Sequence, residues 1–315
     1  MKVLVIQQRY GIGDMVIFTP YLHAICKKYN TPVSLLAKET SKAKDLFAED
    51  KHIGEIINLD HSNDGISGFF SLVKELKSKN FNKVFIFNGS LRYYLAVKLA
   101  GIKDIAQYPL FKKKDIIFKS AQQFVEDLIR EKISTQPKLI LSDKTLLETK
   151  KKYNFDSNFK HIILGISASG PTKRWDIKNY FKLAEDLSSL KKCKFYLACG
   201  ENDVELEKIF LNSKININCF SLSSYKIKEI LPIIKNADLY LGNDTGFLHI
   251  SAALGLKSLG IFCDSPAYSY SAYSDNIIVI VPEGETISST THNTLGKNQI
   301  SFLKVWDKTN QLLTN

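Results

Sequence analysis

Residues 237–255 read ADLYLGNDTGFLHISAALG: an apolar strand runs into Gly242-Asn243-Asp244-Thr245-Gly246, and a helix of small residues follows at once. Strand, tight polar turn and helix in immediate succession form the repeating unit of a parallel α/β sheet. The turn also carries chemistry. The first amides of a helix have no partner within it, so they suit phosphate oxygens, and the Thr245 hydroxyl adds a donor. Asp244 can cap the helix or face a ligand. His249, with Ala252 and Ala253 nearby, suits packing or a structural hydrogen bond better than catalysis.

The same alternation extends outward in both directions. Before this segment, strands are expected at His161–Ser167, Lys194–Cys199, Ile217–Phe220 and Asp238–Leu241, with helices at Ile177–Leu190, Val204–Leu211 and Lys226–Lys235. Helix Gly246–Leu254, strand Ser258–Phe262 and a last amphipathic helix, Gln299–Leu313, follow. The first half repeats the scheme. Strands are expected at Lys2–Gln7, Val33–Ala37, Glu55–Leu59, Lys83–Asn88 and Ile116–Phe118, and helices around Met15–Tyr29, Ser67–Lys79, Leu91–Ala100 and Gln122–Lys132. Pro20 should kink or tighten the first of these helices.

Periodicity weakens across Ser142–Lys160, where Lys150, Lys151 and Lys152 stand in a row, and we read that stretch as a linker. The chain of 315 residues then divides into domains of about 150 residues each. The expected fold class is α/β, with a doubly wound parallel-sheet domain at 1–150 and another at 151–315. The last helix can pack back on the first domain. Open parallel sheets bind ligands at the carboxyl ends of their strands, so a cleft between two such domains is the default site.

Composition is that of an ordinary globular protein, with 44% apolar and 24% charged residues. There is no run of about 18 uncharged apolar residues, which argues against a membrane span. The opening MKVLVIQ resembles a leader only superficially: its apolar stretch is short, and Gln7, Gln8 and Arg9 follow. We expect a cytoplasmic protein. Five scattered cysteines without a Cys-x-x-Cys pair read as reduced core residues. The net charge of +11 is uneven: residues 1–155 hold 26 Lys/Arg against 16 Asp/Glu, and residues 156–315 hold 17 against 16. Either this is lysine bias, since only four of the basic residues are arginine, or the first domain faces an anionic partner. Nucleic acid fits poorly, because arginine, the usual base reader, is scarce.

Three further loops carry candidate chemistry. After the first strand comes Gly11-Ile12-Gly13-Asp14, where Gly11 and Gly13 bare the backbone at a helix start. The dinucleotide fingerprint needs a third glycine, and position 16 is Val16; Glu39 also lies too far on to be its ribose acid. Asp14 is either a first-turn acid complementing the helix dipole or a general base for an attacking hydroxyl. After strand His161–Ser167 comes SASGPTKRWD (167–176), with small residues, a stiffening Pro171, the cations Lys173 and Arg174, and Asp176 as a helix N-cap. A fixed lysine there can neutralise a departing diphosphate. A solvated turn with incidental charge is the plainer alternative, and Trp175 reads as a packing anchor. Finally, Cys199-Gly200-Glu201-Asn202-Asp203 places acids after a strand, where one could bind ribose hydroxyls.

GIGDMVIFTP near the start, SASGPTKRW opening the second half and LGNDTGFLHISAALG near the end together resemble the lipopolysaccharide heptosyltransferases, glycosyltransferase family 9. The resemblance implies a GT-B fold, an acceptor-binding first domain and a donor-binding second domain. It implies inverting transfer of heptose from ADP-heptose to a lipopolysaccharide core hydroxyl, without metal or cofactor, and the chain has no Asp-x-Asp pair. By this likeness Asp14 is the base and Lys173 the phosphate lysine. Ser169, Thr172, Asn243, Asp244, Thr245 and Gly246 hold the donor, and Glu201 or Asp203 binds ribose. The partners implied are a nucleotide-sugar and an anionic glycolipid. The sequence departs from the family where Gly-Pro-Thr-Asp-Pro is frequent: here Cys263-Asp264-Ser265-Pro266 precede a Tyr/Ser-rich stretch. Other readings stay open: another nucleotide-sugar, a protein acceptor, a non-catalytic nucleotide-sugar-binding protein, and, more distantly, a dehydrogenase.

Overall fold

The computed structural model describes residues 1–109 and 116–314. It resolves into two compact units, Met1–Leu139 and Ile140–Asn315.

The first unit alternates β1 (Val3–Gln7), α1 (Ile12–Ile17), α2 (Thr19–Tyr29), β2 (Val33–Lys38), α3 (Ala43–Leu46), β3 (Ile53–Leu59), α4 (Gly65–Lys79), β4 (Lys83–Ile86), α5 (Leu91–Leu99), β5 (Asp104–Gln107) and α6 (Ile117–Ile129). Its strands are parallel in the order β3-β2-β1-β4-β5. β1 is central and wholly buried because all five of its side chains meet helices or neighbouring strands. Leu4 and Ile6 pack with Leu72 and Leu76 of α4 and Ala96 and Val97 of α5. On α2, Tyr21 donates from its hydroxyl to the Phe118 carbonyl at 2.7 Å, which joins α2 to α6.

Two expectations change here. The helix expected over Met15–Tyr29 is broken at Phe18 into α1 and α2. Pro20 has no N–H and its ring excludes the carbonyl four residues earlier, so the Val16 carbonyl instead accepts the Thr19 hydroxyl at 2.9 Å. Ile116–Phe118, expected as a strand, leads into α6. The fifth strand is Asp104–Gln107, a short edge strand whose polar ends gave no alternating signal.

The second unit contains α7 (Asp143–Lys152), β6 (Lys160–Gly165), α8 (Ile177–Leu190), β7 (Cys193–Ala198), α9 (Lys208–Leu211), β8 (Cys219–Ser221), α10 (Ile227–Lys235), β9 (Leu239–Asn243), α11 (Gly246–Ala253), β10 (Ser258–Ile261), α12 (Ala267–Ser271), β11 (Ile277–Ile280) and α13 (Phe302–Thr314). Its strands, again parallel, run β11-β10-β9-β6-β7-β8. Ile162, Leu164, Phe195, Leu197, Leu239, Leu241, Leu259 and Ile261 supply the sheet side of one core, and Tyr180, Leu183 and Leu187 of α8 cover it. Val305 and Leu313 of α13 lie in the same core, so the last helix packs with its own unit. All five cysteines are buried, and burial pushes the thiols of Cys219 and Cys263 up to about 12.

The stretch expected as a linker holds α7, capped by Ser142. Its sequence is mostly polar, with the adjacent Leu146 and Leu147 as its apolar residues, so hydrophobic spacing hid it. It is held from outside: Asn236 donates its side-chain amide to the Leu146 carbonyl at 3.2 Å. The division into units accordingly falls at Leu139, ahead of the expected boundary at 150. Among the described residues no helix is long and apolar enough to cross a membrane.

Each sheet has one topological switch point, where the chain turns from building one side to building the other. In the first it lies between β1 and β4, and in the second between β6 and β9. Doubly wound sheets bind ligands at such points, beyond the carboxyl ends of the strands. At the second switch point Gly165 and Gly242 face each other in register. A Cβ on Gly242 would stand 2.5 Å from both the Gly165 Cα and the Tyr240 hydroxyl. Gly242→Ala should therefore destabilise by about 1–3 kcal/mol through overpacking, lowering the melting temperature by about 2–4 °C per kcal/mol. Thermal denaturation followed by circular dichroism checks this, and an unchanged melting temperature would refute the tight approach.

Candidate active site

In the first unit the loop after β1 leads into α1, and Asp14 sits in the first turn of that helix. Arg9 Nε stands 3.0 Å from Asp14 Oδ1. The approach is not aligned for a hydrogen bond, and among the described residues this buried oxygen has no hydrogen-bond partner. The contact is thus an ion pair. Gly11 makes room for it: a Cβ there would lie 3.0 Å from Asp14 Oδ2. Gly13 is buried within the short helix. Gln7, at the end of β1, turns its Oε1 back to the Arg9 amide at 2.6 Å, while its buried Nε2 has no partner. Sequence reading had given Arg9 no role, because a lone cation before a loop carries no signal of the acid it will meet.

In the second unit the candidate residues gather at the carboxyl ends of β6, β7, β9 and β10. Asn243, at the end of β9, is fully buried. Its Oδ1 accepts the Trp175 amide at 2.9 Å, and its Nδ2 donates toward the carbonyls of Gly165, Ile166 and Ser167 at 3.1–3.4 Å. Asn243 therefore joins the end of β9 to the loop after β6, and its amide is spent on backbone. Trp175 is buried edge-on against Tyr180, with centroids 4.9 Å apart, as a packing anchor should be. Asp176 caps α8 by accepting the Lys178 amide at 2.9 Å.

That loop presents Ser169 and Thr172 at the surface, with Lys173 half-buried in a short 3-10 turn, Pro171–Lys173. Two neighbouring loops hold it. Arg174 donates to Asp203 at 2.8 Å, tying it to the loop after β7, while Glu201 stays exposed. Asp264, after β10, accepts the Leu295 amide at 3.0 Å. Burial works against ionisation of Asp264, but the Leu295 amide, the Thr172 hydroxyl and the Lys173 charge outweigh it and hold its pKa below the ordinary carboxylate value. The carboxylate in the stretch that departs from the familiar pattern thus steadies Thr172 and Lys173.

At the start of α11 the N-cap is Thr245, whose side chain makes no capping bond. Asp244 stands before the cap. Its Oδ1 lies 3.3 Å from His249 Nε2, and His249 Nδ1 lies 2.5 Å from the Tyr273 hydroxyl. This buried chain fixes Asp244 from behind, giving His249 the structural role its small neighbours suggested. Thr245, Gly246 and the first amides of α11 remain at the partly exposed edge. The described residues therefore bring Thr172, Lys173, Asp244, Thr245 and Gly246 to one edge of one sheet. They form a cationic loop beside a helix start, suited to a diphosphate.

Two doubly wound parallel-sheet units, one with a carboxylate and the other with a cationic loop at its switch point, have the architecture of the GT-B fold. The model of glycosyltransferase family 9 (heptosyltransferase) matches residues 69–298, and the chain belongs to that family. It is similar to lipopolysaccharide heptosyltransferase 1 of Campylobacter coli, at 27% identity over 200 residues. That match covers 62% of this chain and 54%, about half, of the relative. Its fold is that of E. coli ADP-heptose lps heptosyltransferase II, with a TM-score of 0.79 at 20% identity, covering 100% of this chain and 99% of that one. It is also that of a family 9 glycosyl transferase from Veillonella parvula, with a TM-score of 0.83 at 17% identity, covering 99% and 97%.

The depressed pKa of Asp264 has a signed consequence. Its contribution to stability is present above the unfolded-state pKa, about 3.9, and is lost as pH falls through the lower folded value. The melting temperature of the wild type should exceed that of Asp264→Asn at pH 6, and the gap should shrink steadily below pH 4. A gap independent of pH would mean that ionised Asp264 does not hold this loop.

Proposed function

We propose that the chain is an inverting glycosyltransferase that moves heptose from ADP-heptose onto a hydroxyl of a lipopolysaccharide core. Family membership and the names of its relatives support this substrate class. The observation that carries it is the cationic loop Thr172–Lys173 gathered with the start of α11 at the second switch point. In this reading the donor diphosphate lies against Lys173, the Thr172 and Ser169 hydroxyls and the amides at Thr245–Gly246. Glu201, the acid left exposed beside Asp203, takes the ribose hydroxyls.

The reaction is a single displacement. Asp14 takes the proton of the acceptor hydroxyl, whose oxygen bonds to the anomeric carbon as that carbon's bond to the diphosphate oxygen breaks. ADP leaves carrying the electron pair, and Lys173 together with the helix-start amides balances its charge. Arg9, beside Asp14, fixes the carboxylate's orientation. No metal or cofactor enters this scheme. The lysine-rich first half suits a phosphorylated glycolipid, met by a cytoplasmic enzyme at the inner face of the inner membrane.

Asp14→Asn should lower transfer by about 10²–10⁴-fold while leaving ADP affinity, measured by calorimetry, unchanged. Full turnover in that variant would remove Asp14 as the base. Lys173→Ala should weaken ADP binding by about 10–150-fold, the worth of a charge-assisted hydrogen bond. Undiminished affinity would take the phosphate away from this loop. The Cys263–Pro266 departure favours one second reading, a different sugar on the same leaving group. A thermal-shift panel of ADP- and GDP-sugars separates the two, since the preferred donor stabilises most.

A further inference from the structure

A second polar cluster lies in the first unit, at the opposite end of its sheet from Asp14. Asp50 and His52 are in the segment between α3 and β3, and the His52 carbonyl accepts the Val33 amide at the start of β2, at 2.9 Å. His23 reaches them from α2. His23 Nε2 lies 2.6 Å from Asp50 Oδ2, and His52 Nδ1 lies 2.8 Å from Asp50 Oδ1. The Asp50 side chain is 0% exposed, whereas those of His23 and His52 are 20% and 34% exposed. Among the described residues this is the one group of three or more His, Cys, Asp or Glu side chains whose ligand atoms lie within 4.8 Å of one another.

We infer that His23, Asp50 and His52 form a binding site for a divalent transition-metal ion of the Zn2+ type, separate from the transfer chemistry. Two neutral imidazoles and one carboxylate are the donor set that borderline cations prefer, and a single negative charge suits a dication. The carboxylate is the fixed member: it is buried and held by the His52 amide at 3.0 Å. The imidazoles are the movable members, from separate elements and open to solvent on one side. Around a tetrahedral ion, donors stand about 3.3 Å apart. The His–Asp contacts, at 2.6 and 2.8 Å, therefore open by about half an ångström around an ion. The solvent side leaves the fourth position to water.

A bound ion would clamp α2, which follows directly on α1 and Asp14, to the starts of β2 and β3. Ligands lie at the carboxyl ends of such strands, and the cluster lies at the amino ends, so the role is structural.

The test titrates chelator-treated full-length protein with Zn2+ by calorimetry, repeats the titration with Co2+ to read its visible ligand-field bands, and compares melting temperatures in Zn2+ and in EDTA. The wild type should bind one equivalent, give a four-coordinate cobalt spectrum and gain roughly 5–10 °C at about 100 times Kd. His23→Gln and His52→Gln keep an amide donor for Asp50, and each should weaken binding at least about 10-fold. Binding that persists in the double variant would belong to other histidines such as His61 or His292, and would overturn the inference. So would a wild-type melting temperature equal in Zn2+ and EDTA. Should a variant fail to fold, the wild-type comparison and cobalt spectrum decide alone.

Discussion

The side chain of Asn243 is the constraint on which the second unit's loops depend. A buried amide has to satisfy both its donors and its acceptor, or leave polar atoms without partners at a cost of about 1–3 kcal/mol each. Here the acceptor takes the Trp175 amide, and the donors reach the last carbonyls of β6 and its loop. Those carbonyls stand at the end of β6 and in the loop that follows it. One side chain thus settles the backbone on both sides of the switch point. Gly165 and Gly242 are the counterpart in packing, because only bare Cα atoms let the Tyr240 ring lie across both strands. With the strand ends pinned, the short Lys173 turn and the start of α11 have no freedom to drift apart.

Around that fixed point the charged residues fall into buttressed pairs. Arg174 with Asp203 and Asp264 with Thr172 hold the same loop from opposite sides. Asp244 is backed by His249 and Tyr273. The partners of the first loop come from the loops after β7 and β10, so the edge is a mesh of loops, each too short to be rigid alone. The first unit does the same with less. Arg9 lies five residues before Asp14, and Gly11 between them leaves space for the carboxylate.

What the sequence made legible follows from the range of the forces involved. Central strands and amphipathic helices were readable because their burial is written in local spacing, as in β1, β6 and α8. The edge strand Asp104–Gln107 was not: it is short and half polar, and its pairing is decided by its neighbour. Helix α7 was hidden for the same reason, since its support from Asn236 comes from ninety residues away. The site divides along the same line. The loops bearing Asp14, Lys173 and Asp244–Gly246 announce themselves through glycines and small residues that any close ligand approach demands. Arg9 and Tyr273, which brace those loops, are ordinary residues in sequence and acquire meaning only through contact, and Asp203, read in sequence as a ribose acid, is instead seen paired with Arg174.

The same reasoning explains why Asn243 had to be interpreted differently once placed, whereas His249 keeps the structural role expected of it. Both stand in or near a ligand-type turn. Burial separates them from Thr245 and Gly246, for a side chain with almost no exposed surface and its polar atoms engaged within the protein has little to offer a substrate. Their contribution to recognition is geometric: they set where neighbouring amides point. In an edge built from short loops that contribution is not secondary, because a diphosphate is recognised by several weak donors at once, and each counts only if the others are held still.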